Sequence, residues 1–303
     1  MNYHQQWKGQ GYLTVPKVFD ADRVAKLYEV CESTFEQWKR ESTKDNQPMG
    51  YCYGPTAWVL IHLNHPRYYQ QHPEWLSRVL DAVAHPLAQQ ILRDIFGEDG
   101  IMMQINYYID PPGETRIGGW HRDCQFFPGM DEEAQKRAIA EEADPPRELH
   151  MHIPLVPTHA TEVVPGSHNR WDTPEEFQIR TKDSTSDNMP GRLAIQLTPG
   201  DLAFFHVNAL HRGIYTHGVR RRTIAVTFGR ASFARKPTAE MMKAWKGYVA
   251  TYQPWFKKQG YLDGCSLVTR AFFQRFVDVY GDSWKPEYLK ELTPQLQEYF
   301  TKF

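Results

Sequence analysis

The chain has 303 residues, 41% of them hydrophobic and 23% charged, which suits one large domain with a substantial buried core. Its 35 basic and 36 acidic residues leave a net charge of -1, which excludes the one-sided basic footprint of a nucleic-acid binder. Cys31, Cys52, Cys124 and Cys265 are far apart with no CxxC pair, so neither a cysteine-type zinc site nor a disulfide framework is expected.

The N-terminus lacks a charged-then-apolar leader, and no apolar run reaches the ~18 residues of a membrane span. The expectation is a cytoplasmic protein with reduced thiols and no membrane partner. Residues 11–16, GYLTVP, read as a short strand, and Asp20 is placed to cap a helix from Ala21 to Glu41, in which Val24, Leu27, Val30 and Phe35 fall near helical spacing. Residues 43–56 carry Pro, Gly and polar side chains and read as a loop. A helical stretch follows, EWLSRVLDAV and then LAQQILRDIFG, broken or kinked at Pro86 and closed by Gly97.

From residue 101 to about 230 the character changes to short strands: IMMQINYYI, the run from His121 to Phe127, LHMHIPLV, RLAIQLT, DLAFFH and RRRTIAVTFGR. Pro111-Pro112-Gly113, Pro165-Gly166 and Pro199-Gly200 punctuate them as turns, and one helical insert occupies 131–143. After 231 the chain returns to helix: AEMMKAWKGYVATY, SLVTRAFFQRFVDVYG and PEYLKELTPQLQEYF. Helices, a block of strands, then helices make an α+β pattern. It reads as a single domain with a helical support at 1–100, a β-core at 101–230 and C-terminal helices at 231–303. A run of short strands with tight turns closes most simply into a barrel or double-sheet jelly roll, which leaves few unpaired edges.

The sharpest local feature is Gly118-Gly119-Trp120-His121-Arg122-Asp123. On a strand, His121 and Asp123 point to one face. An imidazole and a carboxylate side by side suit a divalent metal, and a second histidine would complete a two-His, one-carboxylate set with three open positions. His211 is the candidate third ligand, while His206 and His217 compete for the role. His206 follows an apolar run and reads as a structural barrel residue; His217 sits in a turn and reads as exposed. Arg222 lies eleven positions beyond His211, at the start of an apolar strand, where a buried guanidinium needs an anionic partner such as the distal carboxylate of a keto acid. Alternation puts Arg220 and Arg222 on one face and Arg221 on the other, so the three cannot all serve one pocket. A rival metal pattern is His150-Met151-His152, which has the HxH spacing of cupin sites, with Glu162 and His168 to complete it.

These residues resemble the phytanoyl-CoA dioxygenase (PhyH-like) family of iron and 2-oxoglutarate oxygenases. The resemblance rests on HxD in WHRD, on the Val163-Val164-Pro165-Gly166-Ser167-His168 turn, on the Pro199-Gly200-Asp201 strand entry and on the His211-to-Arg222 spacing. The opening Gly11-Tyr12 followed by Val-Pro and a helix fits too. Thr158 to Glu162 depart from the Asn-Gly-Gly that often precedes the turn in the family, which touches the edge of the site and not the ligands.

The resemblance implies a double-stranded β-helix with Fe(II) held by His121, Asp123 and His211 at its mouth. It implies 2-oxoglutarate anchored by Arg222, with a residue of the strand 104–108 helping to hold it. Alternation groups Gln104, Asn106 and Tyr108, of which Asn106 is chosen. The expected reaction consumes O2 and 2-oxoglutarate, oxidises a small-molecule metabolite, and releases succinate and carbon dioxide. Asp123 argues against a halogenase, which needs a small residue in its place. Segments 43–56 and 127–147 and the C-terminal helices are expected to act as lids, with Tyr51, Tyr53, Trp58, Phe126 and Phe127 available to contact a ligand. A cupin-type metalloenzyme built on His150 and His152, and a catalytically silent binding protein of the same fold, are the competing readings.

Overall fold

The computed structural model describes residues 3–303. The chain opens with α1 (Tyr3–Gln10), β1 (Tyr12–Val15) and α2 (Ala21–Glu41). α2 follows from its sequence. The Asp20 carboxylate accepts from the backbone N–H of Arg23 at 2.8 Å, a cap worth about 1 kcal/mol. Val24, Leu27, Val30, Cys31, Thr34, Phe35 and Trp38 then bury one stripe against the core. Next come β2 (Val59–Ile61), α3 (Pro73–Val83) and α4 (Pro86–Phe96). Pro86 opens a new helix at its first position, where a missing N–H costs nothing, and Gly97 ends it at φ 69°.

The β-core comprises β3 (Gly100–Ile109), β4 (Arg116–Ile117), β5 (Glu148–Pro154), β6 (Thr161–Val163), β7 (Leu193–Ala194), β8 (Leu202–His206), β9 (His211–Tyr215) and β10 (Arg222–Arg230). α5 (Glu132–Glu141) and α6 (Pro174–Lys182) are inserted between strands. The strands form two antiparallel sheets, in the orders β1-β8-β5-β10-β3-β2 and β4-β9-β6-β7. Both sheets line one cavity, so the architecture is the double-stranded β-helix.

Alternation sorts the side chains. Ile224, Val226 and Phe228 of β10 join Ile105 and Tyr107 of β3 in the large core shared with the helices. Arg221 and Thr227, of the opposite parity, face the cavity with Gln104, Asn106 and Tyr108. One irregularity matters: Thr227 pairs Gln104 but Phe228 pairs Met102, so Met103 is an extra residue and also reaches the cavity.

The C-terminal part holds α7 (Ala239–Ala244), α8 (Leu267–Tyr280) and α9 (Pro294–Thr301). Two expected helices are shorter than read. AEMMKAWKGYVATY leaves the helix at Trp245, because Lys246 and Gly247 adopt φ of 50° and 84°. PEYLKELTPQLQEYF splits at Pro294 into a 3-10 turn and α9. The expected strand over 121–127 is a single bridge at His121 followed by a 3-10 turn at Asp123–Phe126, and RLAIQLT pairs only over Leu193–Ala194 and at Leu197. No described helix is long and apolar enough to cross a membrane.

Candidate metal centre and its cavity

His121 and His211 are joined by a two-way backbone bridge, 3.0 Å from His121 N to His211 O and 3.1 Å in return. This sets their rings 4.2 Å apart, centre to centre. Each ring is then locked the same way: Nδ1 donates to a carbonyl two residues earlier, that of Gly119 at 2.7 Å and that of Ala209 at 2.9 Å. Both Nε2 atoms are therefore turned to one point, the arrangement in which an outer hydrogen bond orients a ligand ring. The Asp123 carboxylate meets them, with Oδ1 3.3 Å from His121 Nε2 and 3.5 Å from His211 Nε2.

The ligand atoms of His121, Asp123 and His211 all lie within 4.8 Å of one another, the only such group of His, Cys, Asp or Glu among the described residues. Donors at right angles around an ion bound at ~2.1 Å sit ~3 Å apart, so the set fits a divalent metal. Its electrostatics fit as well. Burial opposes a charge on Asp123, but hydrogen bonds from His121 and His150 and the histidines' field hold its carboxyl well below the usual range. Burial pushes His211 down to about 3, which keeps it a neutral donor. Burial also acts against a charge on His121, but the hydrogen bond and charge of Asp123 outweigh it and raise that ring's value, so a bound metal ion would take the place of the Nε2 proton.

HxD is not held together by strand geometry. The intervening Arg122 is fully buried and points the other way. Its Nε and Nη2 donate to Asp172 at 2.9 and 2.7 Å, and its Nη1 donates to the carbonyls of Ser167, at 2.7 Å, and Asn208. The Pro165-Gly166-Ser167 turn is thus part of the scaffold. Gly166 takes φ 75°, and Ser167 Oγ accepts from Leu210 N at 2.8 Å, next to His211.

The rival histidines do not form a second centre. His150 Nε2 donates to Asp123 Oδ2 at 2.8 Å, so it steadies the carboxylate oxygen that faces away from the other two rings. His152 lies deeper, in hydrogen-bond reach of Thr161 and edge-on to Tyr108. Glu162 is bound by Arg192 and Arg212, and His168 packs on His206 on another side of the sheet. His206 is a buried barrel residue that donates to the carbonyl of Glu142 at 2.9 Å, and His217 is exposed, as expected from sequence.

The cavity beside the donors has a volume of about 720 Å³. Asn106 is on its wall, with Oδ1 accepting from Gln104 Nε2 at 2.9 Å. Tyr51, Trp58, Phe126 and Phe127 line it, whereas Tyr53 packs instead against Phe35 and Trp38.

Arg222 is elsewhere, and this corrects the expectation. Its Nε donates to Glu32 at 2.5 Å, its Nη1 to Asp110, and its guanidinium lies over Phe35 on the helix side of the sheet. The cavity arginine is Arg221, 3% exposed, stacked over Tyr215 at 4.3 Å and Tyr108 at 5.0 Å. Its side-chain bonds, to Ile214 O and Thr161 Oγ1, are long at 3.4 Å, its Nε has no partner, and no ion pair reaches it among the described residues. The eleven-residue spacing leads to Arg222, which is not on the cavity wall, while its neighbour Arg221 is. The pattern of large Ile224, Val226 and Phe228 against small Thr223, Ala225 and Thr227 carries the parity that turns Arg221 to the cavity.

Solved structures share this fold. The epimerase SnoN, in complex with Fe3+, alpha ketoglutarate and nogalamycin RO, aligns at a TM-score of 0.51 and 18% identity over 76% of this chain and 82% of that one. EctD from S. alaskensis, with 2-oxoglutarate and 5-hydroxyectoine, aligns at a TM-score of 0.54 and 16% identity over 88% and 85%. No curated protein sequence matches. The family model described as phytanoyl-CoA dioxygenase (PhyH) matches residues 7–223, so the chain belongs to that family, the iron- and 2-oxoglutarate-dependent oxygenases.

Proposed function

We propose that this oxygenase oxidises a C–H bond of a small-molecule substrate, with His121, Asp123 and His211 as the iron ligands and Arg221 as the anchor of 2-oxoglutarate. The observation that carries the reading is Arg221: a buried, unpaired guanidinium in the same cavity as a His-Asp-His donor set. A buried cation without a counter-charge is costly, and a carboxylate held by its fork repays that cost.

When bound, iron and keto acid supply the oxidising power: one O2 converts 2-oxoglutarate to succinate and carbon dioxide and delivers one oxygen atom to the substrate. The chain's own residues do the rest. Arg221, with Thr161 beside it, fixes the far end of the diacid. Tyr108 and Tyr215 flank the guanidinium and keep water from it. Asn106 Nδ2, left free while Oδ1 accepts from Gln104, offers a donor to the keto acid from the cavity wall. Phe126 and Trp245 help to cover the donors on the substrate side.

Anaerobic titration of the Fe(II)-loaded protein with 2-oxoglutarate, followed by the visible absorption of the chelate, tests the metal assignment. Asp123→Ala should abolish both the band and substrate-dependent succinate release. Intact chelation in that variant would overturn the ligand set.

A further inference from the structure

The cavity contains two opposite charges that the reaction above does not use. Glu148 opens β5, and Arg235 follows β10. Both line the cavity, and neither side chain makes a hydrogen bond or ion pair with any described residue, the other included. Arg235 instead lies 3.7 Å over the ring of Phe127. That ring begins an aromatic wall, with Phe127 and Trp245 stacked at 6.4 Å and Trp245 and Tyr248 at 6.2 Å.

β5 locates Glu148 along the cavity. Alternate residues of a strand stand ~6.8 Å apart on one face. His152 is beside the Arg221 end, since both reach Thr161, His150 is level with Asp123, and Glu148 is one step further on, toward Arg235 and the Phe127 ring that Arg235 covers. Arg235 is the foremost opposite charge acting on Glu148, and burial raises the Glu148 carboxyl above the usual range, so a cation brought to it would be welcome.

We propose, on the reading of the cavity given above, that this outer half binds a zwitterion, its ammonium on Glu148, its carboxylate on Arg235 and its apolar or aromatic body along Phe127, Trp245 and Tyr248. The chemical class is an α-amino acid, or a molecule with an equally close amine and carboxylate. Two opposite charges that line one cavity without pairing are both satisfied by a ligand that carries both signs. The same pair disfavours a polyanion: Arg235 alone cannot neutralise several phosphates, and Glu148 repels them.

Calorimetric titration of the full chain, loaded anaerobically with Fe(II) and 2-oxoglutarate, tests this with four similar probes: L-phenylalanine, phenethylamine, 3-phenylpropionate and 3-phenylpropanamide. L-Phenylalanine should bind at least tenfold more tightly than each of the others. Glu148→Gln should erase the gain from the ammonium, and Arg235→Gln the gain from the carboxylate. Both variants should chelate keto acid as before, which also shows that they fold. The proposal is overturned if the neutral amide matches L-phenylalanine, if no probe binds, or if neither variant changes the order. Failure of the wild-type protein to bind keto acid would instead sink the reading of the inner site, and titration of the unloaded chain would still report on Glu148 and Arg235.

Discussion

Arg221 and Arg222 are neighbours in sequence with opposite electrostatic situations. Arg222 is already neutralised by Glu32 and Asp110, while Arg221 faces the cavity with two long hydrogen bonds and no counter-ion among the described residues. Arg221→Gln should therefore weaken 2-oxoglutarate binding about 100-fold, equivalent to ~2.7 kcal/mol, with little change in melting temperature. Arg222→Gln should do the reverse: it should leave the keto-acid affinity within about threefold and cost ~2 kcal/mol of stability, because two carboxylates lose their cation. Keto-acid titration and thermal melts of the two variants decide it, and weakened binding in Arg222→Gln alone would restore the spacing argument. With Asp123 as the proposed iron ligand, His150 is a positioning residue that acts through it. Its Nε2–H holds Oδ2 at 2.8 Å, so His150→Phe should reduce Fe(II) affinity by roughly 10–100-fold, the usual cost of removing such an outer partner. His150→Gln, which keeps a donor, should recover part of the loss, whereas equal affinity in all three proteins would show that the contact does not matter.

At the scale of elements, the HxD segment works as a bridge, a buried arginine and a turn. Arg122, Asp172 and Arg180 form an ion cluster in which Asp172 is wholly buried, with Oδ1 toward Arg122 and Oδ2 2.6 Å from Arg180 Nε. Arg122→Met should destabilise the fold by about 3 kcal/mol and lower metal occupancy at the same time, since the turn carrying Ser167 and the backbone around Asn208 lose a shared donor. A stable variant with full iron content would mean that the bridge at His121 suffices alone. The same segment shows what sequence could convey. The convergence of His121, Asp123 and His211 was legible because ligand chemistry restricts residue type and spacing. α2 was legible because cap and stripe agree. The backbone around Asp123 was not, since its conformation depends on Arg122 reaching residues some fifty and eighty positions away. His150 was visible as half of an HxH pattern, but its service to Asp123 depends on how β5 sits beside the HxD turn. Glu148, on the same face of β5, carried no motif and emerges only from the cavity it lines.

At the scale of the molecule, several buried histidines stay neutral and link folding to pH. His62 and His206 are inaccessible, and burial pushes each down to about 3; burial also holds His65 well below its ordinary value. In the unfolded chain each titrates near ~6.5. Below that pH the unfolded state takes up protons that the folded state refuses, so these groups contribute their full stability above ~6.5 and lose it as pH falls through the folded values. Each can cost up to ~1.4 kcal/mol per pH unit in that window. Against a typical total of ~5–15 kcal/mol, the melting temperature should fall steeply between pH 6.5 and 4, and not on the alkaline side of neutrality. His62 allows a single-residue check. Its backbone has φ 55°, a conformation asparagine tolerates, and its Nδ1 lies 3.0 Å from the Tyr299 hydroxyl, while Nε2 has no partner. His62→Asn keeps the backbone and a polar group but cannot titrate. It should lower stability at pH 7.5 and yet show a shallower loss toward acid, the two melting curves converging near pH 4. Parallel pH profiles for wild type and variant would show that the acid sensitivity arises elsewhere, in the paired carboxylates rather than in His62.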